Sequence, residues 1–138
     1  MALQKEHRGN YVTLLPTGIP MGEICHSELG VVVRDLFGRI GDKWTLLVIG
    51  VLETGPQRFS TLRESVPGIS QRMLTLTLRH LERDGLVSRE AFAEVPPRVE
   101  YTLTPMGREL LPAVSSIAQW AITNEKLIRA NRDTYDAT

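Results

Sequence analysis

A change of apolar period restricts this chain more than any other feature. Up to Leu81 the apolar residues recur every three or four positions. Between Leu86 and Leu103 they alternate, and after Thr104-Pro105 the helical spacing returns. A period near 3.6 marks an amphipathic helix, and a period of 2 marks a half-buried strand. The chain is therefore predicted to be mainly α, with a small β-hairpin set between helices.

The helical part resolves into segments. Leu29, Val32, Val33, Leu36, Phe37 and Ile40 form an apolar face that begins near Glu28 and is closed by Gly38 and Gly41. Asp42 stands in N-cap position before Lys43 to Leu52, whose apolar residues nearly encircle the helix, as expected of a central buried one. Gly55-Pro56 ends it, because glycine accepts a positive φ and proline cannot continue a helix. Phe59, Leu62 and Val66 give a short third helix, with Ser60 as its candidate cap. Pro67-Gly68 is a turn, and Ser70 caps a fourth helix from Gln71 to about Asp84.

Leu86, Val87, Arg89, Ala91 and Phe92 read as one strand, and Val99, Tyr101 and Leu103 as a second. Pro96-Pro97 between them removes two backbone donors and belongs at a hairpin tip. Thr104 and Pro105 suit the cap and first position of a last helix, which runs to about Asn131 with a kink expected at Pro112. Pro16, Gly18, Pro20 and Gly22 punctuate the opening segment, where Tyr11–Leu15 is either a pairing strand or a packing arm. The expected organisation is an N-terminal extension (1–24), a domain of helices and a hairpin (25–104) and a C-terminal helix and tail (105–138).

Composition excludes several classes. The chain has 138 residues, with 16 Lys+Arg against 16 Asp+Glu. That size and mixture fit one globular domain. No apolar run approaches the roughly 18 residues of a membrane span, and no leader pattern is present. Cys25 is the only cysteine and makes no internal disulfide. The expected location is the cytoplasm. A net charge of zero argues against coating nucleic acid by bulk charge. The charge is segregated, however: residues 56–83 carry five arginines against two glutamates, a net +3, and the remainder carries −3.

Three helices, a hairpin and a terminal helix follow one another in the order of a winged helix-turn-helix. Particular residues sharpen this. Gly41-Asp42-Lys43-Trp44-Thr45-Leu46-Leu47, Arg58-Phe59, Pro67 to Thr75, Leu81 to Val87, Val95 to Tyr101 and Leu103 to Gly107 occur in sequence. In this order they closely resemble the HxlR-type, MarR-like transcriptional regulators, over residues 25 to about 122. The resemblance implies a homodimeric, sequence-specific DNA-binding regulator whose terminal helix helps form the dimer. In that family the two residues after position 75 are commonly polar or basic. Here they are Leu76 and Thr77, which implies a different operator preference.

On a helical wheel at about 100° per residue, Leu74, Leu78 and Leu81 of the fourth helix share one face, and Arg72, Arg79 and Arg83 share the opposite one. Arginine grips guanine edges or phosphate, and threonine or leucine methyls pack on thymine. Residues near the start of a recognition helix enter the groove most deeply, so Gln71, Arg72 and Thr75 are the candidates for base edges, with Leu76 beside them. Ser70, Arg79 and Arg58 are candidate backbone contacts, and Arg98 is a candidate contact from the wing. The competing role for Arg98 is a salt bridge to Glu94 or Glu100. Leu110, Val114, Ile117, Trp120 and Ala121 are the expected dimer interface, and Trp44 is expected in the core.

Cys25 lies where the family usually carries a cysteine, and some members sense oxidants or electrophiles there. It is the candidate redox sensor, with a small buried hydrophobe as the alternative role. No catalytic set, cofactor-binding loop or zinc spacing is present. His26 is adjacent to Cys25, and His7 and His80 lie elsewhere. The reading is a non-enzymatic regulator that binds an operator in double-stranded DNA as a homodimer and answers to an oxidant or small-molecule effector. The alternative is a winged-helix protein-interaction module without DNA binding.

Overall fold

The computed structural model describes residues 2–5, 11–14, 18, 20–24, 26–40 and 42–138. The chain divides into two compact units, Met1–Asp42 and Lys43–Thr138. In the first, β1 (Ala2–Lys5) pairs antiparallel with β2 (Tyr11–Leu14), so the opening segment forms a hairpin. Two helices follow, α1 (Met21–Ile24) and α2 (Glu28–Ile40). Helix α2 leaves Leu29, Val31, Val32 and Phe37 more than half exposed.

The second unit is a winged helix-turn-helix. Its elements are α3 (Thr45–Val51), continued by a 3-10 turn at Leu52–Thr54, then β3 (Gln57–Arg58), α4 (Phe59–Ser65) and α5 (Gln71–Arg83). The wing strands β4 (Val87–Phe92) and β5 (Arg98–Leu103) come next, followed by α6 (Pro105–Arg108) and α7 (Leu111–Asp136). Val48, Ile49 and Leu52 from the central helix and its extension are fully buried with Leu62, Leu74, Leu78 and Leu81. Each such leucine contributes about 1.5–3 kcal/mol by leaving water. The three leucines of α5 therefore fix which side of that helix faces the core, and so which side is left for a partner.

Several local expectations change. Helix α3 begins at Thr45, so the cap position falls to Trp44, without a side-chain cap, and not to Asp42. Arg58, not Ser60, takes the cap position of α4, again without a side-chain bond. A third strand was not anticipated. β3 pairs with β5, Gln57 opposite Tyr101 and Arg58 opposite Glu100, giving the sheet order β3-β5-β4. Gln57 holds the start of that strand by donating to the Val51 carbonyl at 2.6 Å and the Thr54 hydroxyl at 3.0 Å.

The terminal helix is also two helices rather than one kinked helix. The Thr104 hydroxyl accepts from the Gly107 N–H at 3.0 Å and caps α6, which ends after one turn. Helix α7 then starts afresh at Leu111, and Pro112 falls in its first turn. The amide that proline lacks has no intrahelical acceptor there, so no kink is needed. Helix α7 runs to Asp136, beyond the expected Asn131.

The wing is locked to the helices at its base. Gly85 takes φ +77°, which lets the chain leave α5 and enter β4. The Thr104 amide donates to the Leu86 carbonyl at 3.1 Å, and the Thr104 hydroxyl donates to the Gly85 carbonyl at 2.6 Å. Gly107 is pressed so closely against this strand that a Cβ there would lie 2.1 Å from the Leu86 oxygen.

Candidate nucleic-acid interface

The helix-turn-helix proper is α4, the Val66–Ser70 turn and α5. Val66 and Ile69 anchor the turn in the core at 2% and 5% exposure, and Gly68 takes φ +88°. Trp44 is half-buried beside the turn, so its core role is partial. Ser70 caps α5 as expected, its hydroxyl accepting from the Met73 N–H at 3.0 Å.

Gln71, Arg72, Thr75, Leu76 and Arg79 line one open concavity on the outer side of α5. Leu76 is 42% exposed although apolar. Thr75 is half-buried, and its hydroxyl donates to the Gln71 carbonyl at 2.8 Å, so towards a partner it offers an acceptor oxygen and its γ-methyl. Thr77, by contrast, is only 3% exposed and belongs to the core side. Of the pair that departs from the family pattern, only Leu76 therefore reaches the surface.

The remaining candidates are placed elsewhere. Arg58 is exposed on β3, opposite Glu100 of the wing sheet rather than beside the α5 concavity. Arg98 is engaged within the wing. Its guanidinium pairs with Glu94 at 3.0 Å and Glu100 at 3.4 Å and lies 4.1 Å above the centre of the Phe92 ring. The β4–β5 register puts Phe92 opposite Arg98 and supplies that ring. The salt-bridge role thus describes Arg98 in this structure, and its charge is already neutralised at the tip. Arg89, which the sequence reading left out, is exposed on β4 and shares a cleft with Arg79 and Tyr101.

The five residues assigned to the dimer interface divide into two groups. Leu110 and Val114 are half-buried against the core of their own chain. Ile117 and Trp120 are 51% and 62% exposed, and Ala121 is exposed as well. Leu127 and Tyr135 extend this apolar surface along α7, none of whose residues is fully buried. Cys25, the candidate sensor, lies outside the described residues. No helix among them is long and apolar enough to cross a membrane.

A three-stranded wing beside a capped helix with an arginine-bearing outer face defines a winged helix-turn-helix protein. A family model described as HxlR-like helix-turn-helix matches residues 39–128, and the chain belongs to that family. It is a transcriptional regulator with a helix-turn-helix DNA-binding domain. The chain is 43% identical to an HTH-type transcriptional regulator of Methanothermobacter thermautotrophicus, over 75% of this chain and 77% of that protein. It is 44% identical to the HTH-type regulator YybR of Bacillus subtilis, over 79% of this chain and 87% of YybR. Among solved structures, the reduced form of the redox regulator HypR matches with TM-score 0.66 and 42% identity, covering 71% of this chain and 97% of HypR. Reduced YodB of B. subtilis matches with TM-score 0.58 and 39% identity, covering 64% of this chain and 86% of YodB.

Proposed function

We propose that this protein binds an inverted-repeat operator as a homodimer in the cytoplasm, with α5 of each protomer in a major groove. The functional division is then an extension (1–24), a reading domain (25–104) and a dimerisation segment (105–138). The observation that carries this reading is the outer face of α5, where Gln71, Arg72, Thr75, Leu76 and Arg79 line one concavity opposite a leucine face fixed in the core. Arg72 has the fork geometry to bond guanine O6 and N7, and the methyls of Thr75 and Leu76 suit thymine. Ser70, Arg79 and Arg58 serve as backbone contacts.

Arg72→Ala is expected to weaken operator binding by about 1–3 kcal/mol and to relax specificity at one base pair per half-site. Fluorescence anisotropy titration measures this. An unchanged operator affinity would remove Arg72 from the reading face.

The same reading includes a response to an oxidant or small-molecule effector. Redox regulators among the similar structures support it, including a diamide-treated form of YodB at 38% identity. Cys25 is the only thiol that could carry such a response. Diamide is expected to lower operator affinity in wild type and to leave Cys25→Ser unaffected. An equal loss in both proteins would end the thiol role.

A further inference from the structure

The β4–β5 hairpin carries two arginines, and the structure gives them different work. Arg98 is held by two carboxylates and a ring at the tip. Arg89 is exposed near the base of β4, opposite Tyr101, and no ion pair engages it among the described residues. Arg79, exposed on α5, is likewise without an ion pair among the described residues. Both arginines line one cleft between the recognition helix and the wing, with Leu78 and Thr75 on the helix side and Tyr101 on the strand side. Glu82 lines the same cleft and leaves a net charge of +1 there. Thr75 and Arg79 also line the α5 concavity, so the two depressions adjoin.

Two guanidinium groups sharing one cleft, neither of them in an ion pair with Glu82, suit a phosphate, which accepts several charge-assisted hydrogen bonds at once. A helix lying in a major groove has the sugar-phosphate backbone along its flank, on the side where the wing stands. We propose that Arg79 and Arg89 together grip one backbone phosphate of bound DNA, so that the wing engages DNA at its base and not at its tip. This rests on the DNA-binding reading above and adds Arg89 to its contacts.

The test measures affinity against salt concentration for wild type, Arg79→Ala, Arg89→Ala, Arg89→Lys and the double alanine variant. The probes are the selected operator and a mixed-sequence duplex. Each single alanine change is expected to lower affinity by the same factor on both DNAs and to reduce the slope of log affinity against log salt by about one. Arg89→Lys keeps most of the slope. The double variant loses less than the product of the two single losses, because both side chains act on one phosphate. Scanning the operator with methylphosphonate linkages should find one position per half-site that weakens wild type and leaves the double variant unchanged. If Arg89→Ala leaves affinity and slope as in wild type while Arg72→Ala weakens operator binding, the clamp is overturned and the reading face of α5 stands. If wild type binds neither DNA, the DNA-binding reading fails and the clamp fails with it.

Discussion

Gly107→Ala lowers the stability of the winged domain by about 3 kcal/mol or more, the upper range for overpacking a fixed site. The obstacle is backbone: the new methyl would sit 2.1 Å from the Leu86 carbonyl oxygen, which also accepts from the Thr104 amide at 3.1 Å. A flexible side chain could turn aside. This carbonyl cannot move without breaking the bond that joins the exit of the wing to its entry. For a domain near 100 residues a loss of that size lowers Tm by roughly 12–24 °C. Thermal unfolding followed by circular dichroism measures it, and a shift of only a degree or two would mean that α6 does not press on β4 as described. The consequence reaches the site, because α6 braces the base of the wing and β4 carries Arg89.

The second large effect concerns α7. Ile117→Glu combined with Trp120→Glu is expected to turn the proposed dimer into a folded monomer and to weaken operator binding by about 10²–10⁴-fold, the benefit of linking two half-site contacts. A helix of 26 residues with no fully buried residue takes little support from its own domain, and helices in water depend mainly on packing of an apolar face. The first turns of α7 are anchored, since Leu111 and Val114 pack against the core. Beyond them Ile117, Ala121, Ile128 and Tyr135 recur at spacings of four and seven, with Trp120 and Leu127 alongside. That row lies on one helix face, and in a homodimer a second copy of α7 covers it. The anchored turns should keep the variant folded. Analytical ultracentrifugation separates the outcomes, and a double variant that stays dimeric with wild-type operator affinity would place the interface elsewhere.

Much of this architecture is legible in the sequence, for identifiable reasons. Helix α5 is the clearest case. Leucines at three- and four-residue spacing define its core face, Ser70 is a strong cap, and Gly85 ends it. The hairpin is equally plain, because alternation around Pro96-Pro97 admits no helical reading. The two-residue strand β3 is not legible, since it is too short for any period and forms only because β5 offers an edge to it. The break between α6 and α7 is also hidden. Pro112 signals an interruption, but whether it kinks a helix or begins one depends on where the preceding turn closes.

The site divides in the same way. The wheel places Arg72, Thr75, Leu76 and Arg79 away from the leucine face, Gln71 joins them by its place at the start of the helix, and the structure brings these five to one concavity. It also sends Thr77 inward, because Thr77 falls about 40° from Leu81 and about 60° from Leu74 around the helix and so shares the leucine side. Arg98 was ambiguous because Glu94 and Glu100 stand on either side of it in sequence. The strand register, which sets Phe92 opposite, resolves it. Arg89 escaped notice because an exposed arginine in a strand carries no signal until the strand is laid beside α5.

The balanced total charge is the average of unlike regions, and the +3 segment from 56 to 83 coincides with the helix-turn-helix. The central claim is that two copies of α5 read an inverted repeat. Its most direct test is selection of bound duplexes from random DNA by the purified, reduced protein. The account predicts enrichment of an inverted repeat whose half-site centres lie about 10 base pairs apart, or a multiple of that spacing, matching one turn of B-DNA per step. A folded protein that enriches no sequence and shows no salt-dependent affinity for DNA would contradict it and would favour a winged-helix module that binds other proteins.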